Sequence, residues 1–256
     1  MLTRRGAMAA LAGAALGSDE PFFLPPLRPA ADGSRPWLWY APVFTGKYPN
    51  AASAWLFDRL RSAGFAICGI DVGESYGSPA GRAVYTKLYD KLTRERSLSS
   101  GPCQCGLSLS TRPCLLAQSR GALMLYNWAV EHPWSVSRIG GIYPVCDLRS
   151  YPGLARAAGA YGMTEAQLEQ HLREHNPVDR LAPLAAERVP LLHLHGDADK
   201  AVPLEANSGE LIRRYRALGG PAELVVVNGK GHEEVPEFFQ SVRLLEFLGR
   251  TGGNHR

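Results

Sequence analysis

The chain has 256 residues, 45% of them hydrophobic, which is enough to bury the core of one domain. The formal net charge is +4, and two of the positive charges are the adjacent Arg4 and Arg5, so no basic block remains that would bind a nucleic acid. The sequence lacks a run of about 18 uncharged apolar residues and therefore predicts no membrane span in the mature protein.

The N-terminus has the pattern of an export signal. The paired residues Arg4 and Arg5 precede a short, mildly apolar run at 7–16, which small residues follow. This pattern resembles a twin-arginine signal, and a frayed N-terminal helix is the alternative. We therefore predict that residues 1–17 direct the protein to the periplasm or the medium, and that residues 18–256 form a single domain.

The remainder of the chain begins with a Pro-rich stretch, 21–36, that predicts irregular structure, and then alternates strand and helix patterns. Short apolar or aromatic runs predict strands at 36–42, 65–70, 112–118, 139–145, 189–194 and 222–227. Helical spacing of apolar residues, with Gly or Pro at several ends, predicts helices at 51–63, 81–93, 121–131 and 204–218.

Two segments interrupt this alternation. Residues 97–111 are rich in Gly and Ser and predict a loop, and residues 148–182 have no strand signals and predict a small helical cap. The alternation itself predicts an α/β domain, in which a doubly wound, mostly parallel sheet of about six main strands is covered on both faces.

Three turns carry residues that one reaction needs. The run LLAQSRGA, residues 115–122, takes a buried strand through Ser119 directly into a helix whose first residues are small. The run LHLHGDADKAVP, residues 192–203, ends a strand in a Gly turn that bears Asp199, with Asp197 as the alternative acid. The turn NGKGHE, residues 228–233, presents a histidine after the last predicted strand.

These turns resemble those of the α/β-hydrolase superfamily, which includes secreted esterases and the catalytic domains of prolyl oligopeptidases. The order Ser119, Asp199, His232 matches the order of nucleophile, acid and histidine in that superfamily. The resemblance covers roughly residues 36–248. It implies the α/β-hydrolase fold and a serine hydrolase in which His232 is the base and Asp199 orients it.

An oxyanion hole is part of the same expectation. The resemblance implies the backbone N–H of Arg120 as one donor and an N–H near Val43 or Phe44, after the first aromatic strand, as the other. The pair formed by Ser119 and Arg120 also resembles the nucleophile motif of glucuronoyl esterases, in which the arginine helps to hold the oxyanion; a solvated residue at the start of the helix is the alternative.

A second serine fits the nucleophile motif by spelling. Ser75 lies in G-E-S-Y-G, residues 73–77, which also follows a predicted strand. Ser78-Pro79 delays the next helix, however, and the position along the chain is one strand too early for the superfamily. We therefore assign Ser75 no catalytic role and expect Glu74 and Tyr76 to line the substrate pocket, with a solvated loop as the alternative.

Histidines and cysteines raise two further possibilities. His193 and His195 spell the start of a metallo-hydrolase motif, but Ala198 stands where the next ligand is needed, so we predict no metal and no cofactor. Among the cysteines, Cys68, Cys114 and Cys146 are predicted to be small buried residues. Cys103 and Cys105 lie in the predicted loop, where in an oxidising compartment they can form a disulfide with another site rather than with each other, and we predict no catalytic role for them.

The predicted substrate is a small-molecule or carbohydrate ester. The predicted cap does not have the continuous apolar face of a long-chain lipase. Its residues are polar or aromatic and include Tyr151, Tyr161, His171, His175 and several arginines. A carbohydrate ester is the leading class by resemblance alone. The alternatives are a serine peptidase of the prolyl-oligopeptidase type and a non-catalytic binding protein on the same fold.

Overall fold

The computed structural model describes residues 21–41, 50–94 and 109–250. Within these ranges the chain forms one mostly parallel sheet with helices on both faces, as the alternation predicts. None of the helices in the described ranges is long and apolar enough to cross a bilayer.

The sheet has seven strands in the order β1-β3-β2-β4-β5-β6-β7. All neighbouring pairs are parallel except β1 with β3. The strands are β1 (Phe22–Leu24), β2 (Trp37–Tyr40), β3 (Ala66–Gly69), β4 (Cys114–Gln118), β5 (Arg138–Ile142), β6 (Leu191–Gly196) and β7 (Ala222–Val227).

The longer helices and the shorter ones occur in different parts of the chain. The first three and α8 run along the sheet, and four short helices lie between β5 and β6. They are α1 (Ala54–Ser62), α2 (Pro79–Thr93), α3 (Gly121–Ala129), α4 (Leu154–Ala157), α5 (Glu165–Gln170), α6 (Leu172–His175), α7 (Ala182–Ala186), α8 (Glu210–Ala217), α9 (Pro236–Phe239) and α10 (Val242–Gly249).

The sheet buries both of its faces, as β2 illustrates. Trp37 and Trp39 belong to one hydrophobic cluster, and Leu38 and Tyr40 belong to another on the opposite face. Because successive side chains of a strand point to opposite faces, a strand covered on both sides is apolar throughout. This explains why the predicted strands are continuous apolar runs rather than alternating ones.

The strand order creates a crevice beside β2. From β2 the chain crosses to β3 on one side and then returns past β2 to β4, after which every strand is added in the same direction. Open parallel sheets bind ligands where the order reverses in this way, at the carboxyl ends of the strands. The end of β4 therefore lies at the position where a site is expected.

Two parts of the fold differ from the sequence prediction. The Pro-rich stretch is not irregular throughout, because Phe22–Leu24 pairs antiparallel with β3 and makes the sheet seven strands rather than six. A strand of three residues is too short to show a period, and its pairing depends on contacts distant in sequence. The helices α9 and α10 were also not predicted; Leu244 and Leu248 of α10 pack on Gly140 in β5.

The segment predicted as a cap, 148–182, contains α4, α5 and α6. The hydroxyl of Tyr161 donates to the carbonyl oxygen of Tyr76 at 2.8 Å, and this bond ties the segment to the loop after β3. The segment therefore lies beside the carboxyl ends of the strands, on the side where the crevice opens.

Candidate active site

Ser119, His232 and Asp199 form a continuous chain of hydrogen bonds. Ser119 Oγ lies 2.9 Å from His232 Nε2, and His232 Nδ1 lies 2.8 Å from Asp199 Oδ2. A carboxylate can only accept, so Nδ1 carries the proton and the neutral ring accepts the Ser119 hydroxyl proton at Nε2. The three predicted residues thus meet with the directions that proton transfer from a serine requires.

The backbone at Ser119 forms a sharp turn between β4 and α3. Its φ is 44°, in the left-handed region that residues with a side chain rarely adopt. Three backbone bonds hold the turn: the Ser119 N–H donates to the Ile142 carbonyl at 3.0 Å, and the Ser119 carbonyl accepts from the N–H groups of Val145 at 2.9 Å and Ala122 at 3.1 Å. This strained turn projects the hydroxyl from the end of the sheet, as a nucleophile elbow does.

Close packing beside the elbow depends on Gly121. A Cβ at this position would lie 2.9 Å from the carbonyl oxygen of Ala41 and 3.0 Å from its Cβ. The first turn of α3 therefore touches the end of β2 directly. As a result, Ala41 lies beside the elbow that carries Ser119.

Asp199 is buried and firmly held, and its side chain has 0% exposure. Its Oδ1 accepts the N–H groups of Ala201 at 3.0 Å and Val202 at 2.8 Å, which leaves Oδ2 for His232. Burial alone would raise the pKa of Asp199, but hydrogen bonds from His195, His232 and Val202 outweigh it and lower the pKa well below its usual range. Asp199 is therefore a carboxylate at neutral pH.

Asp197, the alternative acid, has a different role in the structure. Its Oδ1 accepts the N–H of Gly229 at 2.6 Å, and the Ala198 N–H donates to the Lys230 carbonyl at 3.0 Å. A side chain at Gly196 would collide with the same carbonyl. These contacts join the turn that carries the two aspartates to the turn that carries His232. They occupy Asp197 in holding the backbone, whereas Asp199 contacts the His232 ring.

Ser75, the serine with the better motif spelling, lies away from this hydrogen-bond chain. Its Oγ is buried, has no hydrogen-bond partner among the described residues, and lies against Gly81 at the start of α2. Ser78 caps that helix by accepting the Gly81 N–H. Ser75 therefore packs the loop after β3 and presents no hydroxyl to a base.

No known family model matches the sequence, and no curated protein sequence matches it. Solved structures do match. Est1E from Butyrivibrio proteoclasticus is 18% identical, with a TM-score of 0.62 over 93% of this chain and 98% of its own. Dipeptidyl peptidase 4 of Porphyromonas gingivalis is 15% identical, with a TM-score of 0.65 over 89% of this chain and 33% of its own. A puromycin-hydrolyzing peptidase of Mycobacterium tuberculosis is 14% identical, with a TM-score of 0.62 over 88% and 35%.

The chain has the α/β-hydrolase fold. It spans about a third of the length of the two peptidases and nearly all of Est1E. At these identities the likeness concerns the fold, so the chemistry must be argued from the residues of the site.

A cluster of polar side chains surrounds Arg120, the residue that follows Ser119. The Arg120 guanidinium donates to Glu74 and its side chain is 9% exposed, against 39% for Glu74. Burial opposes ionisation of Glu74, but hydrogen bonds from Tyr76 and Arg120 lower its pKa. Burial, and then the contact with Glu74, raise the pKa of Tyr76 to about 12, and Arg156 of α4 also bonds this phenol. Thus Glu74 and Tyr76, predicted to line the pocket, share a network with Arg120.

Of the predicted oxyanion donors, Arg120 lies within the described residues, and Val43 and Phe44 do not. Arg120 directly follows Ser119 and is the N-cap residue of α3, so its backbone amide lies at the positive end of that helix. Val43 and Phe44 lie outside the described residues, as do Cys103, Cys105 and residues 1–17. Ala41, the last described residue before that gap, contacts Gly121 of the elbow.

His193 and His195, the candidate metal ligands, use all four ring nitrogens in hydrogen bonds. Each ring bonds Ser208 Oγ through Nδ1, at 3.0 and 2.8 Å. The Nε2 atoms contact the hydroxyl of Tyr126 at 2.6 Å and the carbonyl of Val202 at 2.8 Å, respectively. Within the described part of the chain, no cluster of three or more His, Cys, Asp or Glu side chains is arranged to hold a metal ion.

The predicted buried cysteines are confirmed. Cys68, Cys114 and Cys146 are buried free thiols. Burial raises the pKa of the Cys68 thiol to about 12 and of Cys114 to about 11, and it raises that of Cys146 well above the usual value. Because the thiolate is the reactive form, these residues are structural.

Tyr143 is a site residue that the sequence analysis missed. It follows β5, has a φ of 34°, and its ring centroid lies 4.1 Å from that of His232. The sequence signal was weak, since an aromatic residue at the end of a buried strand usually belongs to the core.

Proposed function

We propose that the chain is a serine hydrolase in which Ser119 is the nucleophile, His232 the general base and Asp199 the residue that orients the base. The observation that carries this proposal is the pair of hydrogen bonds from Ser119 through His232 to Asp199, at 2.9 and 2.8 Å. A serine hydroxyl is a weak nucleophile at neutral pH and needs a base positioned in this way.

The reaction has two halves. Ser119 Oγ attacks the carbonyl carbon of the substrate while its proton passes to His232 Nε2, and Asp199 stabilises the imidazolium that forms. Collapse of the tetrahedral intermediate expels the alcohol, which takes the proton from Nε2 and leaves an acyl group on Ser119. Water then attacks the acyl carbon, gives a proton to Nε2, and releases the acid as Ser119 regains a hydrogen.

The negative oxygen of the intermediate needs two donors. We propose the backbone N–H of Arg120 as the first, because it follows Ser119 at the N-terminus of α3. The second is an N–H at Val43 or Phe44. The contact between Gly121 of the elbow and Ala41, the last described residue before Val43 in the chain, supports this choice.

The proposed substrate is a carboxylic ester with a polar acyl or alcohol part, a carbohydrate ester being the leading class. The charged groups that flank Ser119 support this proposal, because Arg120, Glu74 and Arg156 would leave a long aliphatic chain against charges that prefer water. Polar hydroxyls, in contrast, can bond a carboxylate, a phenol or a guanidinium.

The test is covalent labelling followed by turnover. A fluorophosphonate probe should label the wild-type protein and the matched control Ser75→Ala, and should leave Ser119→Ala unlabelled at an unchanged melting temperature. Among p-nitrophenyl esters, short acyl chains should be cleaved faster than long ones. Undiminished turnover by folded Ser119→Ala would remove the assignment, and an unlabelled wild type would favour a non-catalytic binding protein.

The second candidate is a serine peptidase. Two of the structurally similar proteins are peptidases by name, although this chain spans only about a third of each. Peptide anilides and esters with the same acyl group separate the candidates. Both form the same acyl-enzyme, so a difference in their rates reports only on the leaving group, an amine or an alcohol. Cleavage of anilides alone would replace the esterase proposal with the peptidase.

We also propose export through the N-terminal segment, on the basis of Arg4, Arg5 and the apolar run after them. In a bacterial host, the full chain should appear in the periplasmic fraction or the medium. The double variant Arg4→Lys, Arg5→Lys should stay in the cytoplasm; equal export of the two proteins would contradict the proposal.

A further inference from the structure

A second hydrogen-bond chain reaches Asp199 from the interior of the domain. His195 Nε2 lies 2.8 Å from the carbonyl oxygen of Val202 and 3.5 Å from Asp199 Oδ2. The N–H of Val202 in turn donates to Asp199 Oδ1 at 2.8 Å. One imidazole therefore contacts both Asp199, at the same carboxylate oxygen that His232 contacts, and Val202, the residue whose N–H holds the other oxygen.

The contacts of His195 fix its tautomer. A carbonyl oxygen only accepts, so Nε2 carries a proton and, in the neutral ring, Nδ1 accepts the hydroxyl proton of Ser208 at 2.8 Å. Because the Ser208 hydroxyl donates its one proton to His195, its oxygen must accept a hydrogen bond from His193 Nδ1, at 3.0 Å. His193 Nε2 is then an acceptor, and Tyr126 donates its hydroxyl proton there at 2.6 Å.

The direction of this chain is consistent at every contact. Tyr126, His193, Ser208 and His195 all have 0% exposure, so no solvent replaces a missing partner. Burial, and then the neighbouring His195, lower the pKa of His193 to about 3, which keeps that ring neutral. The reverse direction would require a proton on both nitrogens of His195, whereas the arrangement described satisfies every hydrogen bond with one proton on each ring.

We propose that His195 is a positioning residue for the reaction proposed above, that it holds Asp199 and the turn through Val202 in place for His232, and that Tyr126 fixes its tautomer through His193 and Ser208. The proposal rests on the proposed function of the Ser119 site and adds four residues to it. None of the four touches substrate, and their effect reaches the substrate only through Asp199 and His232.

The kinetic test is a double-mutant cycle. His195→Phe keeps a ring without donors and should lower kcat about 10- to 100-fold, by analogy with the outer hydrogen-bond partners of metal ligands, with KM nearly unchanged. His195→Gln keeps an amide donor near the Nε2 position and should recover most of the loss. Tyr126→Phe should lower kcat severalfold in the wild-type background and have no further effect in the His195→Phe background.

Tyr215→Phe is the matched control for Tyr126→Phe. Tyr215 is equally buried, and its hydroxyl bonds the carbonyls of Leu184 and Val189 under α8, with no link to Asp199. This variant should lose stability and keep kcat. Additive losses for Tyr126 and His195, or equal kcat losses for the two tyrosine variants, would overturn the proposal.

A measurement without turnover separates this proposal from the proposed function. In ¹⁵N-edited NMR of the full chain, His193 should be the Nδ1–H tautomer and His195 the Nε2–H tautomer. The proton between His232 Nδ1 and Asp199 should resonate at low field and move in His195→Phe. A doubly protonated His195, the opposite tautomers or an unmoved resonance would refute the positioning role even if hydrolysis is confirmed.

Discussion

The rings of Tyr143 and His232 lie 4.1 Å apart between centroids, with an interplanar angle of 48°. Tyr143 is buried against Phe238 and Phe239, and its N–H donates to the Leu194 carbonyl at 2.8 Å. His232 comes from a turn and its side chain is 24% exposed, so neither a helix nor a strand orients it. A fixed aromatic ring thus supports the one member of the hydrogen-bond chain that lies on a partly exposed turn.

The first prediction concerns this contact. Tyr143→Leu should lower kcat about threefold to tenfold, since an aromatic contact contributes about 0.5–1.5 kcal/mol beyond its buried area. Tyr143→Phe retains the ring and should stay within about twofold of wild type. Steady-state kinetics below the melting temperature of each variant measures the effect. Wild-type kcat in Tyr143→Leu would show that the ring does not orient His232.

The second prediction concerns the packing of the elbow on β2. Gly121→Ala places a methyl group 2.9 Å from the Ala41 carbonyl oxygen, so the backbone of β2 or α3 must shift. We expect a loss of about 1–3 kcal/mol in the free energy of unfolding, measured by urea denaturation. Gly159→Ala is the control, because no atom lies within 4 Å of the added Cβ. Equal stabilities of the two variants would contradict this account.

The third prediction concerns the charge beside Ser119. Glu74 is ionised because hydrogen bonds from Tyr76 and Arg120 outweigh its burial and lower its pKa. Glu74→Gln therefore removes one negative charge beside Arg120 and Arg156, and KM for an anionic ester should fall about twofold to fivefold at low salt.

The same substitution predicts a dependence on salt and substrate. The effect should disappear at high salt and with a neutral ester of the same leaving group. Glu174→Gln, a change on the exposed side of α6, should leave KM unchanged. A lower KM for the neutral ester would show that charge is not the cause.

The fourth prediction concerns the acid side of the stability profile. Burial and the neighbouring His195 lower the pKa of His193 from 6.5 to about 3 in the folded state. The unfolded chain therefore binds the proton first as the pH falls. The stabilisation is complete above about pH 6.5 and is lost progressively towards pH 3, with a slope of up to about 1.4 kcal/mol per pH unit for this group.

The measurement is the free energy of unfolding at pH 7, 6 and 5 in wild type and in His193→Gln. His132 and His175 also have lowered pKa values, because of burial first of all, and add slope of the same sign to both proteins. The variant should show a smaller slope, whatever its stability at pH 7. Parallel profiles would mean that His193 does not titrate on unfolding.

Local sequence predicted most of the sheet because the inner strands, β2 to β6, are buried on both faces and so stand out as apolar runs. Ala222–Val227 has the predicted bounds, and β4 lies within its predicted range. The three-residue β1 has no such signal, since its pairing with β3 depends on a contact between segments more than 40 residues apart along the chain. The helix α10, in contrast, carries a local signal, because its buried residues Leu244 and Leu248 recur at helical spacing.

The sequence by itself determined the order of the chemistry: a serine between a buried strand and a helix, an acid in a Gly turn, and a histidine after the last strand. The sequence ranks the alternatives, and only the tertiary structure shows which of them meet. Ser119 rather than Ser75 meets a base, Asp199 rather than Asp197 meets the histidine, and the candidate metal ligands bond Ser208 instead. The physical reason is that a motif fixes which groups are present, whereas a hydrogen bond needs atoms within about 3 Å, which only the packed sheet provides.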